Sequence, residues 1–336
     1  MHLPQSYSQL MHVCDQHPRH RLDRRIPLLP WLRESRFIFP VNSLSLRTPS
    51  VNRNSSLTLS TFFSLNRLER FNLQVANYDG PIAAAVMVRN FIDACFAVHH
   101  FNDPFYSSVT IDLIFGYNDV LPINALRNHV LSLVNTSHYI WLDVDFIPSP
   151  DLAFVSLPSP GEVYIVPAFE QANTTLVCPK TKPELIKLWD LDMMFPFDPE
   201  LPVAHSLTKF SVWRQSSSIY PTRFNDYRNE PYFITHLLTT PPFDERFPYG
   251  YRNKMQHSAH LSVLNFNVFV IPDHFLVHIY HPPTNLSRMQ ILWDYGLTWA
   301  KLHSFFEFWL QQASNNVLFN YFDEYLIKRS EINMHC

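Results

Sequence analysis

The pattern of apolar and polar positions predicts alternating strands and helices in the first half of the chain. Short continuous apolar runs at Ile82–Val88, Val109–Phe115 and 138–142 are typical of buried strands. Helical spacing covers residues 89–99 and 123–134, and in the second of these segments apolar side chains recur on one side. This order of strand, helix, strand, helix and strand indicates a parallel α/β sheet.

The second half of the chain has fewer apolar runs. They predict three more core strands, at residues 163–167, 268–271 and 275–279. Residues 175–260 are rich in Pro, Tyr and Phe and have weak periodicity, which is typical of loops and short helices bordering a cleft. An aromatic-rich helical segment is predicted over residues 287–313.

Both ends of the chain lack the periodicity of a folded core. Residues 1–56 are rich in Pro, Arg, His and Ser and are expected to form a poorly ordered arm, and residues 314–336 a tail. No stretch reaches the ~18 apolar residues of a membrane span, and no secretory signal is recognisable. The sequence therefore predicts either a soluble chain or one whose true N-terminus is missing.

The amino-acid composition excludes several kinds of binding site. Glycine occurs only 5 times in 336 residues and never in a cluster, which excludes the glycine-rich loops that bring backbone N–H groups to phosphates. A bound diphosphate would instead require a divalent cation held by carboxylates. The net charge of -3, with no long basic run outside the arm, argues against a nucleic-acid partner. The four cysteines are widely spaced without a CxxC pair, which argues against a zinc ribbon.

The candidate chemistry centres on Asp143-Val144-Asp145, directly after the third predicted strand. Ligands of open α/β sheets bind outside the carboxyl ends of the strands, so a carboxylate pair there is well placed. An extended backbone would aim the two side chains in opposite directions. We therefore expect the chain to turn at the second aspartate, before Pro148 and Pro150. Two carboxylates together with water and phosphate oxygens suit Mg²⁺ or Mn²⁺.

Several short blocks along residues 57–290 carry a family resemblance. They are Leu57-Thr58-Leu59-Ser60-Thr61 with Leu65-Asn66-Arg67-Leu68, Gly80-Pro81-Ile82, Leu121-Pro122-Ile123-Asn124-Ala125-Leu126-Arg127-Asn128, Trp141-Leu142-Asp143-Val144-Asp145-Phe146-Ile147-Pro148, Val166-Pro167-Ala168-Phe169-Glu170, Phe243-Asp244-Glu245-Arg246-Phe247 followed by Asn253-Lys254, and Phe275-Leu276-Val277-His278. In this order the blocks resemble glycosyltransferase family 49, which includes the LARGE-type enzymes and a β-1,4-glucuronyltransferase. Glycine and aromatic positions between residues 247 and 253 depart from the LARGE-type pattern.

The resemblance implies an α/β fold of the GT-A type, a nucleotide-sugar-binding sandwich with a mixed, mainly parallel central sheet. The domain would cover residues 57–313, with a nucleotide-binding half at 57–150 and an acceptor half at 151–290. It implies a nucleoside-diphosphate sugar as donor, usually a UDP-sugar, and a glycan or glycoprotein as acceptor. It also implies Mn²⁺ as cofactor, with Mg²⁺ as the alternative, an inverting reaction, and a place in the Golgi or secretory lumen.

By matching position, the resemblance assigns the metal and the donor diphosphate to Asp143 and Asp145, with His278 as a third metal ligand. Arg127 and Asn128 are candidates for contact with the nucleotide or its phosphates, or for a helix-capping or surface role. Lys254 is a candidate for a donor phosphate or a sugar carboxylate, or a surface lysine.

An inverting transfer needs a base that takes the proton of the acceptor hydroxyl. Asp244 is the first candidate and Glu245 the second, and the alternative is that both lie in a solvated turn. His257 and His260 form one His-x-x-His pair, and His278 and His281 form another. Of these histidines, His281 is expected to lie beside the metal ligands or on the surface, whereas His257 and His260 are expected to be structural.

Three rival interpretations remain open. An inactive relative would keep the GT-A fold as a binding or scaffold protein, although Asp143, Asp145 and His278 are all present. A metal-dependent phosphohydrolase would use the same carboxylate pair, but such enzymes usually cluster more carboxylates. A truncated gene product would explain why no membrane anchor is visible.

Overall fold

The computed structural model describes residues 43–49, 55–115, 122–173, 178–245, 247, 252–281 and 306. Most of the predicted arm, nearly all of the helical segment at 287–313 and the tail at 314–336 lie outside these residues. Within the described ranges, no helix is long and apolar enough to cross a bilayer.

The described residues form strands and helices in alternation. The strands are β1 (Ser43–Arg47), β2 (Leu57–Ser64), β3 (Ile82–Val88), β4 (Val109–Phe115), β5 (His138–Trp141), β6 (Phe146–Pro148), β7 (Glu162–Ile165), β8 (Ala168–Gln171), β9 (Met194–Pro196), β10 (Tyr220–Thr222), β11 (Phe233–His236), β12 (Asn267–Val270) and β13 (Leu276–His278). The α-helices are α1 (Leu68–Ala76), α2 (Phe91–His100), α3 (Ile123–Ser132), α4 (Lys182–Asp190), α5 (Phe210–Gln215) and α6 (Asn253–Val263).

The larger sheet has the strand order β1-β4-β3-β2-β5-β11-β7-β12-β10. Strands β4, β3, β2 and β5 run parallel and form the half that the sequence predicts. On the other side of β5, β11 inserts antiparallel to both β5 and β7. The α/β class and the mixed sheet are confirmed. The expectation of a mainly parallel sheet also holds, because six of its nine strands (β2, β3, β4, β5, β7 and β12) run in one direction and only β1, β10 and β11 run in the other.

The smaller sheet, in the order β6-β13-β8-β9, brings together segments that are far apart in the chain. Strand β13 pairs antiparallel with β6 and parallel with β8. His278 is opposite Phe146 in this register. Since Asp145 immediately precedes β6, the pairing brings the second aspartate of the Asp-Val-Asp segment next to the histidine at the end of β13.

Side-chain alternation along β3 explains why helices cover both faces of the parallel half. Ala84 and Val86 belong to the core cluster that includes side chains of α1 and α2. Ala83 and Ala85 belong to the cluster that includes Leu126 and other side chains of α3. A strand buried on both faces reads as a continuous apolar run, which is the signal that predicts β3.

Two further differences from the sequence-based expectations concern strands. Residues 43–47 fall in the predicted arm but pair with β4 as an edge strand, and Leu44 and Leu46 are buried there. Strand β11 lies within the 175–260 segment predicted as loops and short helices. It is only four residues long, and its neighbouring prolines obscure the pattern.

Gly80 lies where the chain enters β3, and a methyl group there has no room. A Cβ at this position would come within 2.7 Å of the Tyr78 ring. That ring is 2% exposed and its hydroxyl donates to the carbonyl of Leu57 at 2.9 Å, so it is locked in place. We expect Gly80→Ala to lower the free energy of unfolding by about 1–3 kcal/mol, measured by urea denaturation. An unchanged midpoint would contradict this packing.

Candidate functional site

The Asp143–Asp145 segment is a turn between the two sheets. Strand β5 ends at Trp141, and the amide of Phe146 donates to the carbonyl of Asp143 at 3.1 Å. The side-chain amide of Gln74, from α1, donates to the carbonyls of Asp143 at 3.0 Å and Phe146 at 2.9 Å. The chain therefore turns after the strand, as the sequence predicts, and a side chain of α1 stabilises the turn.

Asp143 faces a hydroxyl and an ammonium group. Its Oδ2 accepts hydrogen bonds from the Tyr232 hydroxyl at 2.7 Å and from Lys254 Nζ at 3.2 Å. Packing around the carboxylate opposes its charge, but the cations of Lys254 and Arg127 outweigh this and hold the pKa of Asp143 well below its usual value. Asp143 is therefore ionised at any physiological pH.

Asp145 faces two guanidinium groups and a histidine. Its Oδ1 lies 2.7 Å from Nη1 of Arg67 and 2.8 Å from Nη1 of Arg70. Its Oδ2 lies 3.6 Å from Nε2 of His281. The backbone carbonyl of Asp145 accepts from the amide of Ile279 at 2.8 Å, which ties the turn to the end of β13.

Asp145, His278 and His281 form a cluster of metal-ligand type. One side-chain atom of each lies within 4.8 Å of the others. Burial lowers the pKa of His278 to about 4, against the opposing effect of Asp145. At neutral pH the ring is therefore uncharged, with a lone pair to offer a metal ion. A carboxylate and two imidazoles suit a divalent transition metal.

The cluster contains two of the three expected ligands and one histidine that was not among them. Asp145 and His278 lie together in it. His281, expected beside the ligands or on the surface, has a ring nitrogen within the cluster. Asp143 is not part of it, because its carboxylate is turned toward Tyr232 and Lys254.

Lys254 lies at the start of α6 and reaches this site. Its ammonium group contacts Asp143, the Tyr232 hydroxyl at 3.1 Å and Glu230 Oε2 at 3.7 Å. Its side chain is 22% exposed, so one part of it still faces solvent. A cation that is positioned by two carboxylates and is still accessible can bind an anionic ligand.

Arg127 occupies a different place from the one expected. It is 1% exposed, and its Nη1 donates to Asn124 at 2.9 Å and to Asn253 at 2.8 Å. Its guanidinium lies over the rings of Trp141 and Phe243, 5.5 and 5.0 Å from their centroids. Direct contact with a nucleotide is therefore not supported. Since Asn253 is the first residue of α6, Arg127 positions the helix that carries Lys254.

Asn128 is hydrogen-bonded to the loop that carries the two candidate bases. The Asn128 side chain donates to the carbonyl of Phe243 at 2.8 Å and to Oε1 of Glu245 at 2.9 Å. Its oxygen accepts from the amide of Phe243 at 2.9 Å. Asp244 is completely buried, whereas Glu245 is partly exposed. Asn128 therefore holds the loop that carries both carboxylates.

The pair His257 and His260 lies in the core. His257 is 2% exposed, with Nε2 3.0 Å from the carbonyl oxygen of Pro241 and its ring 4.0 Å from that of Phe243. Burial lowers the pKa of His257 to about 3. His260 is also buried. Both positions agree with the structural role expected for this pair.

Comparison with known proteins identifies the family. The sequence model of the family described as "Glycosyl-transferase for dystroglycan" matches residues 107–281, just over half of the chain. The chain belongs to this family. The matched region of this glycosyl-transferase family member contains Asp143, Asp145, His278 and His281.

Curated relatives extend the similarity beyond that region. The xylosyl- and glucuronyltransferase LARGE2s of Gallus gallus is 26% identical over 269 residues, 76% of this chain and 35% of the relative. The human xylosyl- and glucuronyltransferase LARGE1 is 26% identical over 244 residues, 69% of this chain and 32% of the relative. The chain thus spans about a third of the length of these relatives.

The solved structures to which the chain is similar are more distant in sequence. GalNAc-T7 with UDP, GalNAc and Mn²⁺ is 12% identical, with a TM-score of 0.44 over 71% of this chain and 47% of that one. TarS 1–349 of S. aureus in complex with UDP-GlcNAc is 10% identical, with a TM-score of 0.40 over 70% of this chain and 64% of that one.

Proposed function

We propose that this family member is a metal-dependent, inverting glycosyltransferase that moves a sugar from a UDP-sugar to a hydroxyl of a glycan or glycoprotein. The observation that carries the proposal is the juxtaposition of the Asp145, His278 and His281 cluster with Asp143 and Lys254 at one edge of the fold. A nucleoside diphosphate needs a divalent cation and basic side chains together, and this edge offers both.

Each group at this edge has a part in the proposed reaction. Asp145, His278 and His281 would hold Mn²⁺, with Mg²⁺ as the alternative, and the cation would offset the charge that develops on the leaving diphosphate. Asp143 fixes the ammonium of Lys254, which binds a donor phosphate or a carboxylate of the sugar. Tyr232 donates to Asp143, so the ionised carboxylate is held by two donors and keeps one orientation.

The base that accepts the proton of the acceptor hydroxyl is proposed among Asp244 and Glu245. The acceptor oxygen must come within hydrogen-bond reach of that carboxylate as it attacks the anomeric carbon. Asp244 is completely buried, and its amide lies 3.3 Å from Oε1 of Gln256. Glu245 is partly exposed and oriented by Asn128. Accessibility therefore favours Glu245.

The donor sugar and the compartment are proposed from the relatives' names and from the family resemblance. Xylosyl- and glucuronyltransferase relatives make a pentosyl or glucuronosyl donor the first to test, with other hexosyl donors next. The Golgi or secretory lumen is proposed as the place of action from the family resemblance alone.

Thermal denaturation with a panel of UDP-sugars, each with and without Mn²⁺, tests the proposal. A ligand at 100 times its dissociation constant stabilises the folded state by about 2.7 kcal/mol. We expect one UDP-sugar to raise the melting temperature in Mn²⁺ and to be hydrolysed or transferred there. Stabilisation without turnover would instead indicate the inactive binding protein. No stabilisation by any UDP-sugar would contradict the proposed donor class.

A further inference from the structure

One face of α1 is directed at the Asp143–Asp145 turn. Arg67, immediately before the helix, and Arg70 and Gln74 within it are spaced so that they share one side. Gln74 binds backbone carbonyls of the turn, and both arginines bind Asp145 Oδ1. Arg70 also donates to the carbonyl of Ile279 at 3.3 Å, between the two histidines of the cluster.

The arginines are only partly used by these contacts. Among the described residues, the hydrogen bonds and ion pairs of both side chains involve Nη1 alone, which contacts Asp145 and, for Arg70, also Ile279. The two side chains are 23% and 20% exposed. Their other N–H groups can therefore reach a ligand, and a guanidinium fork matches the geometry of phosphate oxygens.

The charge of the site also points to an anion. Through the contacts above, the carboxylates of Asp143, Asp145 and Glu230 are linked to the cations of Arg67, Arg70 and Lys254, and buried Arg127 lies behind them. Cations thus outnumber carboxylates. A site with net negative charge binds a divalent cation more tightly. This site has net positive charge, so it favours a ligand whose negative charge exceeds the positive charge of the bound metal ion.

We infer that Arg67 and Arg70 form an anion subsite that binds the diphosphate of the nucleotide directly, beside the metal rather than through it. The inference rests on the proposed function for the identity of the ligand. Each arginine would then have two partners, because its N–H groups would bind both Asp145 and a phosphate. The arginines lower the affinity of Asp145 for a metal ion alone and raise the affinity of the site for a diphosphate.

Titration calorimetry on the full chain tests this inference with three probes: Mn²⁺ alone, UDP with Mn²⁺, and inorganic pyrophosphate in EDTA. We expect Arg70→Gln to weaken UDP binding by roughly 10-fold or more, the loss typical of one charge-assisted hydrogen bond. The same variant should bind Mn²⁺ alone as tightly as the unchanged protein or more tightly. Arg70→Lys keeps the charge and should recover part of the UDP affinity.

Arg214→Gln is the matched control, because Arg214 pairs with Asp190 on the exposed surface at 2.6 Å. It should leave all three affinities unchanged. If the melting curve shows that Arg70→Gln does not fold, the same measurements are made on Arg67→Gln and Arg70→Lys. Unchanged UDP affinity, or parallel losses of Mn²⁺ and UDP affinity, would overturn the inference in favour of a structural role. Failure of the unchanged protein to bind Mn²⁺ would count against the proposed function, whereas arginine-dependent pyrophosphate binding in EDTA would still support the subsite.

Discussion

Asp145→Asn is expected to reduce Mn²⁺-dependent turnover of the donor by roughly 100-fold or more, because loss of a residue that merely orients a ligand already costs about 10- to 100-fold. Asparagine keeps the size of the side chain but removes the charge that a divalent cation requires. It also leaves Arg67 and Arg70 without their shared carboxylate. The measurement is release of UDP from the UDP-sugar that the thermal panel selects.

Asp190→Asn is the control for this substitution, since Asp190 is 52% exposed and pairs only with Arg214 among the ion pairs described. It should keep full turnover. Binding of Mn²⁺ to Asp145→Asn, followed by calorimetry, separates loss of the metal from loss of a later step. Full turnover by Asp145→Asn would exclude the cluster as the metal site and with it the proposed mechanism.

The parallel half of the sheet could be predicted because each of its strands is buried on both faces. A run such as 82–88 then contains no polar residue, and its bounds agree with those of β3. The antiparallel half could not be predicted in the same way. Strand β11 is four residues long, and its place between β5 and β7 depends on pairings with segments that are far away in the chain.

The candidate site shows the same division. Asp143 and Asp145 were recognisable because two acids after an apolar strand are costly without partners. The direction of each carboxylate could not be predicted, because Tyr232 and Lys254 are far from Asp143 in the sequence and contact it only in the folded chain. The missed arginines did have a signal. Arg67, Arg70 and Gln74 recur at helical spacing and therefore share one face of α1, but a polar face of a helix usually faces solvent, so the spacing alone does not assign them to the site.

Buried histidines predict a steep loss of stability in mild acid. His205 and His257 are 4% and 2% exposed, and burial lowers the pKa of each to about 3. In the unfolded chain the usual histidine pKa is about 6.5. Between these values only the unfolded state takes up the proton, so the contribution to stability is complete above pH ~6.5 and is lost as the pH falls.

Each of the two rings should therefore lower the free energy of unfolding by about 1.4 kcal/mol per pH unit below pH ~6, which makes roughly 3 kcal/mol for the pair between pH 6.5 and 5 because the slope is smaller near pH 6.5. Urea denaturation across this range measures the slope. His257→Gln keeps a donor for the carbonyl of Pro241 but does not titrate, so it should remove about half of the slope that the pair contributes while lowering stability at pH 7. The same substitution at exposed His99 is the control. If the slope of His257→Gln equals that of the unchanged protein, His257 is protonated to the same extent in both states, and the packing of α6 against Phe243 differs from the structure described.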